Sequence, residues 1–249
     1  MANMIWNSII QQYNSSIALK NNNVHLFLPK SDVANIRKPN LHWKYAVNNM
    51  EADKTILHKF LNSFKEIPAA DFDLIGQHLQ HRAIVPGQVL LQQGKTAKEL
   101  FFVATGILKI VSTSEKGDDV IQFFIKENRF CTILYSFNGG IVSHESIVAI
   151  TNGELLVFSK TSLEALYTQL PYFQSLVENI TQQALINKIQ LRNSLMGEEA
   201  ATRYHKFISQ QPDLMLRVPL SDVASYLGIT QQSLSRIRRN YDARLYQDS

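Results

Sequence analysis

The chain has 249 residues, 45% of them hydrophobic, enough to bury one sizeable core and a smaller satellite domain. Its single cysteine, Cys131, excludes an intramolecular disulfide, and alone it cannot supply the several thiolates of a structural zinc or iron–sulfur centre. The formal net charge of +4 belongs to the first 49 residues, where Lys20, Lys30, Arg37, Lys38 and Lys44 stand against one acid, Asp32, so bulk charge is no guide to the rest.

No apolar run approaches the roughly 18 residues of a membrane span, and no basic segment leads into an apolar core at the N-terminus. The expected location is the cytoplasm, with no membrane partner. Residues 1–49 are rich in asparagine, weakly periodic and polar around Pro39, and read as a poorly ordered extension. From Met50 the pattern tightens: Ile56, Phe60, Leu61 and Phe64 recur at helical spacing, as do Phe72, Ile75 and Leu79 after Pro68.

Between Arg82 and Ser159 the chain breaks into short β-rich runs at residues 89–91, 100–103, 107–111, 120–125, 147–150 and 155–158. Gly87, Gly94, Gly106, Gly117 and Gly153 punctuate them, each a candidate corner with positive φ. Short strands at about ten-residue intervals predict an antiparallel jelly-roll barrel within residues 50–170, so the fold class is α+β.

A short helix is expected over 163–167, and after Pro171 a stretch to about Met196 lacks internal Pro and Gly, which predicts one long helix in the segment 171–197. Phe173, Val177, Ile180, Ala184, Asn187, Leu191 and Ser194 fall at alternating spacings of four and three. That is the stripe of a two-stranded seam, with Asn187 setting register, and it assigns a homodimer interface to Val177, Ile180, Ala184, Asn187 and Leu191. The competing reading packs this stripe on the chain's own barrel; Leu185 and Ile189 form a second stripe available for that purpose.

Residues 198–249 carry the most specific signal. Val223, Ala224, Leu227, Gly228, Ile229, Leu234 and Ile237 have the spacing of two helices crossing steeply over a tight turn, with Ala224 small at the crossing and Gly228 at the turn. Thr230 is a natural N-cap of the second helix. Gln231, Gln232, Ser233, Ser235, Arg236 and Arg239 lie off its buried stripe, and from Thr230 to Tyr241 there are three arginines and no acid. Gln and Arg match base edges of double-stranded DNA in the major groove, and Ser, Thr and Arg suit phosphates.

From about Met50 to Tyr241 the chain resembles the Crp/Fnr family of bacterial transcription regulators. The resemblance rests on Pro86-Gly87, Gln93-Gly94-Lys95, the run from Glu99 to Val103 leading to Gly106, the long helix, and the motif from Leu227-Gly228-Ile229-Thr230 to Leu234-Ser235-Arg236-Ile237. It implies a cyclic-nucleotide-type sensor barrel, dimerisation through the long helix, and base readout by Gln231, Gln232 and Arg236; RNA polymerase is a further candidate partner. Two departures qualify it. Where cyclic-AMP-binding members carry a Gly-Glu pair and then an Arg-Ser or Arg-Thr pair, this chain has Thr132-Ile133 and Ser143-His144, so the ligand positions Thr132, Ile133, Ser143 and His144 point to a small-molecule effector other than cyclic AMP. Too few residues follow the second helix for the usual two-stranded wing, which leaves it truncated.

Two other readings compete with a gated regulator: a constitutive regulator with a vestigial pocket, and a cupin-like small-molecule enzyme. The enzyme would need clustered histidines and a glutamate on neighbouring strands, whereas the barrel segment holds only His144, with His78 and His81 ahead of it. No catalytic residue, metal ligand or cofactor is therefore expected. Cys131, among Phe130, Ile133 and Leu134, reads as inert packing.

Overall fold

The computed structural model describes residues 41–114 and 117–247, with side chains described over 51–114 and 117–240. Most of the expected extension, residues 1–40, lies outside the described residues. Among the described residues the first helix, α1 (Leu41–Asn62), runs through the Met50 boundary that the sequence pattern suggested for the start of regular structure. It is followed by α2 (Ala69–Gln77) and by eight strands: β1 (Gln80–Ile84), β2 (Val89–Leu91), β3 (Glu99–Thr105), β4 (Leu108–Thr113), β5 (Asp119–Ile125), β6 (Arg129–Cys131), β7 (Glu145–Ala149) and β8 (Gly153–Ser159). A short helix, α3 (Leu134–Gly139), separates β6 from β7.

The strands form two antiparallel four-stranded sheets, ordered β1-β8-β3-β6 and β2-β7-β4-β5, the jelly-roll arrangement. In β3 and β8 the burial is nearly continuous rather than alternating. The reason is that helices cover the outer face of this sheet: Phe60 of α1 meets Phe102 and Phe130 at ring distances of 5.2 and 5.8 Å. A strand covered on both faces has no solvent side to keep polar, so Leu100, Phe101, Phe102 and Val103 are buried together.

Of the five punctuating glycines, Gly87, Gly94, Gly106 and Gly117 adopt positive φ, and Gly153 does not. Gly153 is required for space: a Cβ there would lie 2.2 Å from the Thr105 carbonyl oxygen, where β3 and β8 turn past each other.

After the barrel come α4 (Lys160–Gln169), capped by the Ser159 hydroxyl accepting from the Ser162 amide at 3.0 Å, and the long helix α5 (Pro171–Asn193), with Pro171 in its first turn. Phe173, Leu176, Val177 and Ile180 of α5 are buried in the barrel's own core cluster. Val177 and Ile180, which the spacing gave to a partner, are 4% exposed within their own chain. A three-and-four repeat marks a buried helix face without saying which surface buries it. The remaining elements are α6 (Ala200–Gln210), α7 (Leu214–Arg217), α8 (Leu220–Leu227) and α9 (Gln231–Gln247). With neither Gly nor Pro to stop it, α9 continues past Tyr241, and no strand follows it among the described residues. No described helix is long and apolar enough to cross a membrane.

Candidate nucleic-acid interface and effector cavity

Helices α8 and α9 form a helix-turn-helix. Gly228 ends α8 with φ +65°, a conformation that costs other residues about 1 kcal/mol or more, and the Ile229 amide donates back to the Ala224 carbonyl at 3.0 Å. Ala224 is buried at the crossing, with Val223, Leu227 and Leu234 filling the core and Ile229 and Ile237 half-buried against it. The Thr230 hydroxyl accepts from the Ser233 amide at 3.1 Å, the N-cap that the sequence indicated. With Leu234 turned inward, Gln232, Ser235, Arg236 and Arg239 share one face at helical spacing, beside Gln231. Gln231, Gln232, Arg236, Arg238 and Arg239 are all exposed, while Ser233 and Ser235 are half-buried.

This helical part is docked on the β4–β5 ribbon of the barrel. Phe124 of β5 packs against Tyr226 of α8 and Phe207 of α6, with ring centroids 5.2 and 6.4 Å away. The Lys109 ammonium donates to both carboxylate oxygens of Asp222 at 3.0 and 2.9 Å, and the Lys126 ammonium to Asp213 at 2.8 Å. The Ser225 hydroxyl accepts from the Ile121 amide and donates to the Asp119 carbonyl, each at 3.1 Å, which ties α8 to the ribbon's backbone. The Arg217 guanidinium makes a two-pronged pair with Glu127. Burial works against the Glu127 carboxylate, but Arg217 and the Gly106 amide outweigh it and hold its pKa below the ordinary value.

On the other face of the same ribbon lies a cavity of about 380 Å³ between barrel and long helix. Ile110, Phe123, Phe130, Ile133 and Leu134 contribute its apolar barrel side; Leu185 and Ile189 of α5, the stripe the spacing reserved for the barrel, line the helix side. Its charged groups are Lys188, Arg192 and Glu145. Burial lowers the Lys188 pKa, and its ammonium sits 5.7 Å over the Phe123 ring. The Arg192 guanidinium donates to Gln122, and the Tyr135 hydroxyl donates to Glu145 at 2.5 Å. A larger cleft of about 740 Å³ lies among β2, β3 and α4, but no residue of α5 lines it, so a ligand there would lack direct contact with the helix leading to α8 and α9.

The four positions that the resemblance nominated for the ligand separate here. Thr132 and Ile133 line the cavity, although the Thr132 hydroxyl is already committed to the Glu99 carbonyl at 2.9 Å. Ser143 is wholly buried, its hydroxyl donating to the Glu145 carbonyl and accepting from the Glu145 amide, so it holds the turn into β7. His144 is exposed, stacked beside Tyr135, and outside the cavity lining. Ser143 thus lies in the turn into β7 and His144 on the surface beside it. Lys188, Arg192 and Glu145 were missed because their side of the site is assembled from the long helix and β7. Burial pushes the Cys131 thiol up to about 11, which suits a packing role. Of the dimer stripe, Ala184 and Leu191 are half-buried and Asn187 is exposed, where it accepts from the Gln183 amide group.

Residues 81–169 match the family model of the cyclic nucleotide-binding domain. No curated protein matches the chain by sequence. Among solved structures, the chain is similar to the c-di-GMP-responsive global regulator CLP of Xanthomonas campestris at 16% identity and TM-score 0.58, covering 71% of this chain and 93% of that one. It is also similar to FixK2 of Bradyrhizobium japonicum, at 15% identity and TM-score 0.57 over 67% and 85% of the two chains. A third likeness is to a protein of Eubacterium rectale described as a transcriptional regulator of the Crp/Fnr family, at 15% identity and TM-score 0.52 over 72% and 85%. The fold is that of the Crp/Fnr regulators. The matched cyclic nucleotide-binding domain takes in the sandwich and α4, while the solved structures extend the likeness beyond it.

Because folded Glu127 releases its proton more readily than an unfolded carboxylate, its pairing stabilises the docked arrangement fully above the ordinary value of 4.5 and is lost as pH falls through the lower folded value. Urea melts should therefore show Glu127→Gln less stable than wild type at neutral pH, with the gap narrowing as the pH falls below the ordinary value of 4.5. A gap that persists or widens in acid would show that the carboxylate charge is not what Arg217 holds.

Proposed function

We propose that the chain is a dimeric, effector-gated transcription regulator that reads double-stranded DNA with α9. The observation that carries this reading is the exposure of Gln231, Gln232, Arg236 and Arg239 on a capped helix whose opposite side, Leu234, is buried in a helix-turn-helix core. Arg236 is assigned to a base edge and Arg239 to phosphate. Arg236→Ala should cost roughly 1–3 kcal/mol on the preferred site and relax sequence preference there, whereas Arg239→Ala should weaken all sequences about equally and flatten the salt dependence. Titrations on matched and scrambled duplexes decide this, and unchanged specificity in Arg236→Ala would remove the assignment.

The second copy is assigned to the C-terminal half of α5. Leu185, Ile186 and Ile189 are 38, 47 and 45% exposed there, next to Asn187 and Leu191 of the expected stripe. Large apolar side chains gathered on one exposed helix segment favour pairing with a like surface. Ile186→Asp should yield monomers in sedimentation with an unchanged circular dichroism spectrum; a variant still dimeric would move the interface elsewhere.

The effector is assigned to the 380 Å³ cavity, in which two cations, Lys188 and Arg192, stand against one carboxylate that Tyr135 already holds. That balance favours an acidic, mostly apolar small molecule. Cyclic AMP fits poorly: Thr132 and Ser143 are committed to backbone partners, and Ile133 cannot accept a bond from a ribose hydroxyl. Calorimetric titration should give no saturable heat with cyclic AMP at micromolar concentration. Saturable binding that also raises DNA affinity would restore an ordinary cyclic-nucleotide receptor.

A further inference from the structure

Away from the cavity and the DNA-reading face, three ionisable side chains from distant parts of the chain converge where α1 crosses the edge of the β1-β8-β3-β6 sheet. Asp53 comes from α1, His81 from β1 and Glu154 from β8. Register places His81 opposite Leu156 and Ala83 opposite Glu154, so His81 and Glu154 are diagonal neighbours on one face of the sheet. Asp53 reaches down to that face from the helix and is 4% exposed.

The contacts are incomplete in a specific way. Both carboxylates approach the same ring nitrogen: His81 Nε2 lies 2.9 Å from Asp53 Oδ2 and 3.3 Å from Glu154 Oε2. One nitrogen carries at most one proton and can direct it at only one acceptor. Asp53 takes that bond, and Glu154 Oε2 is left buried without a hydrogen-bond partner. Burial raises the pKa of both carboxyl groups above the ordinary range, with His81 only partly offsetting it. A lone imidazole, even protonated, brings one positive charge to two carboxylates.

A dipositive ion satisfies all three groups at once. Carboxylate and imidazole ligands bind Zn²⁺ at about 2.0–2.2 Å, so tetrahedral donors lie roughly 3.4 Å from one another. The three donor atoms here already lie within 4.8 Å of one another, two of the pairs at 2.9 and 3.3 Å, and all three come from regular elements that hold them in place. One nitrogen with two carboxylate oxygens is a donor set for borderline divalent ions, and two carboxylates neutralise the charge. We propose that Asp53, His81 and Glu154 form a divalent transition-metal site that clips α1 to the β1–β8 edge of the sensor barrel. Neutral His81 would ligate through Nε2, replacing the proton now aimed at Asp53, and solvent would complete the coordination.

The test uses the full chain, stripped with a chelator and dialysed against Zn²⁺ or Mn²⁺, with bound metal counted by mass spectrometry and thermal melts recorded in parallel. One equivalent of Zn²⁺ should bind in the micromolar range or tighter and raise Tm. His81→Ala, Asp53→Asn and Glu154→Gln should each weaken binding at least tenfold and abolish the metal-dependent rise in Tm, while His144→Ala leaves both intact. Glu154→Gln is nearly isosteric and keeps the test decisive should His81→Ala unfold. X-ray absorption of the loaded protein should show one imidazole in an otherwise oxygen shell. Absence of saturable binding, or binding unchanged by Glu154→Gln and Asp53→Asn, would overturn the proposal.

Discussion

The structure depends on the two-sidedness of the β4–β5 ribbon. Successive residues of a strand point to opposite faces, so neighbours in sequence serve different cores. Phe123 lines the cavity under the long helix, and Phe124 packs into the helical part with Tyr226 and Phe207. Across the pair the pattern repeats, with Ile110 opposite Phe123 in the cavity and Lys109 opposite Phe124 pairing with Asp222. A ligand that shifts Phe123 or Ile110 thus acts on the backbone that also positions α8. Interiors packed at crystal-like density pass such displacements on instead of absorbing them.

The polar contacts around this ribbon orient more than they stabilise. Lys109 with Asp222 and Arg217 with Glu127 are partly buried pairs, whose desolvation offsets much of their attraction. Their value lies in geometry. The two-pronged Arg217–Glu127 pair and the Ser225 contacts with the β5 backbone admit few arrangements of α7 and α8 on the barrel, whereas the ring cluster of Phe124, Phe207 and Tyr226 supplies apolar burial with less directional demand. The long helix reaches the ribbon too, through Arg192 donating to Gln122. Cavity, long helix and helix-turn-helix therefore meet on one pair of strands.

The helix-turn-helix was legible because its determinants are local. Ala224, Leu227, Gly228 and Leu234 fall within a dozen residues, and their spacing alone fixes a steep crossing. The barrel was legible through its turns, although short β1 and β6 carry too few residues to show a period and Gly153 proved to serve close approach instead of positive φ. The long helix was ambiguous for a physical reason: Val177 and Ile180 would read identically against a partner or against their own barrel. The cavity's charges escaped because Glu145, Lys188 and Arg192 converge only through the sandwich topology. Asp53, His81 and Glu154 escaped for the same reason, since neither the 28-residue separation of the first two nor the longer interval to Glu154 forms a recognisable ligand motif.

Whether two copies of α9 read DNA as a symmetric pair, as proposed, is decided by selecting from a random duplex pool with the purified 249-residue chain at physiological salt. A symmetric pair should enrich one near-palindromic sequence whose half-sites are centred about one helical turn, roughly 34 Å, apart. Recovery of sequences with no shared motif, retained only at low salt, would reduce the interaction to charge alone and contradict it.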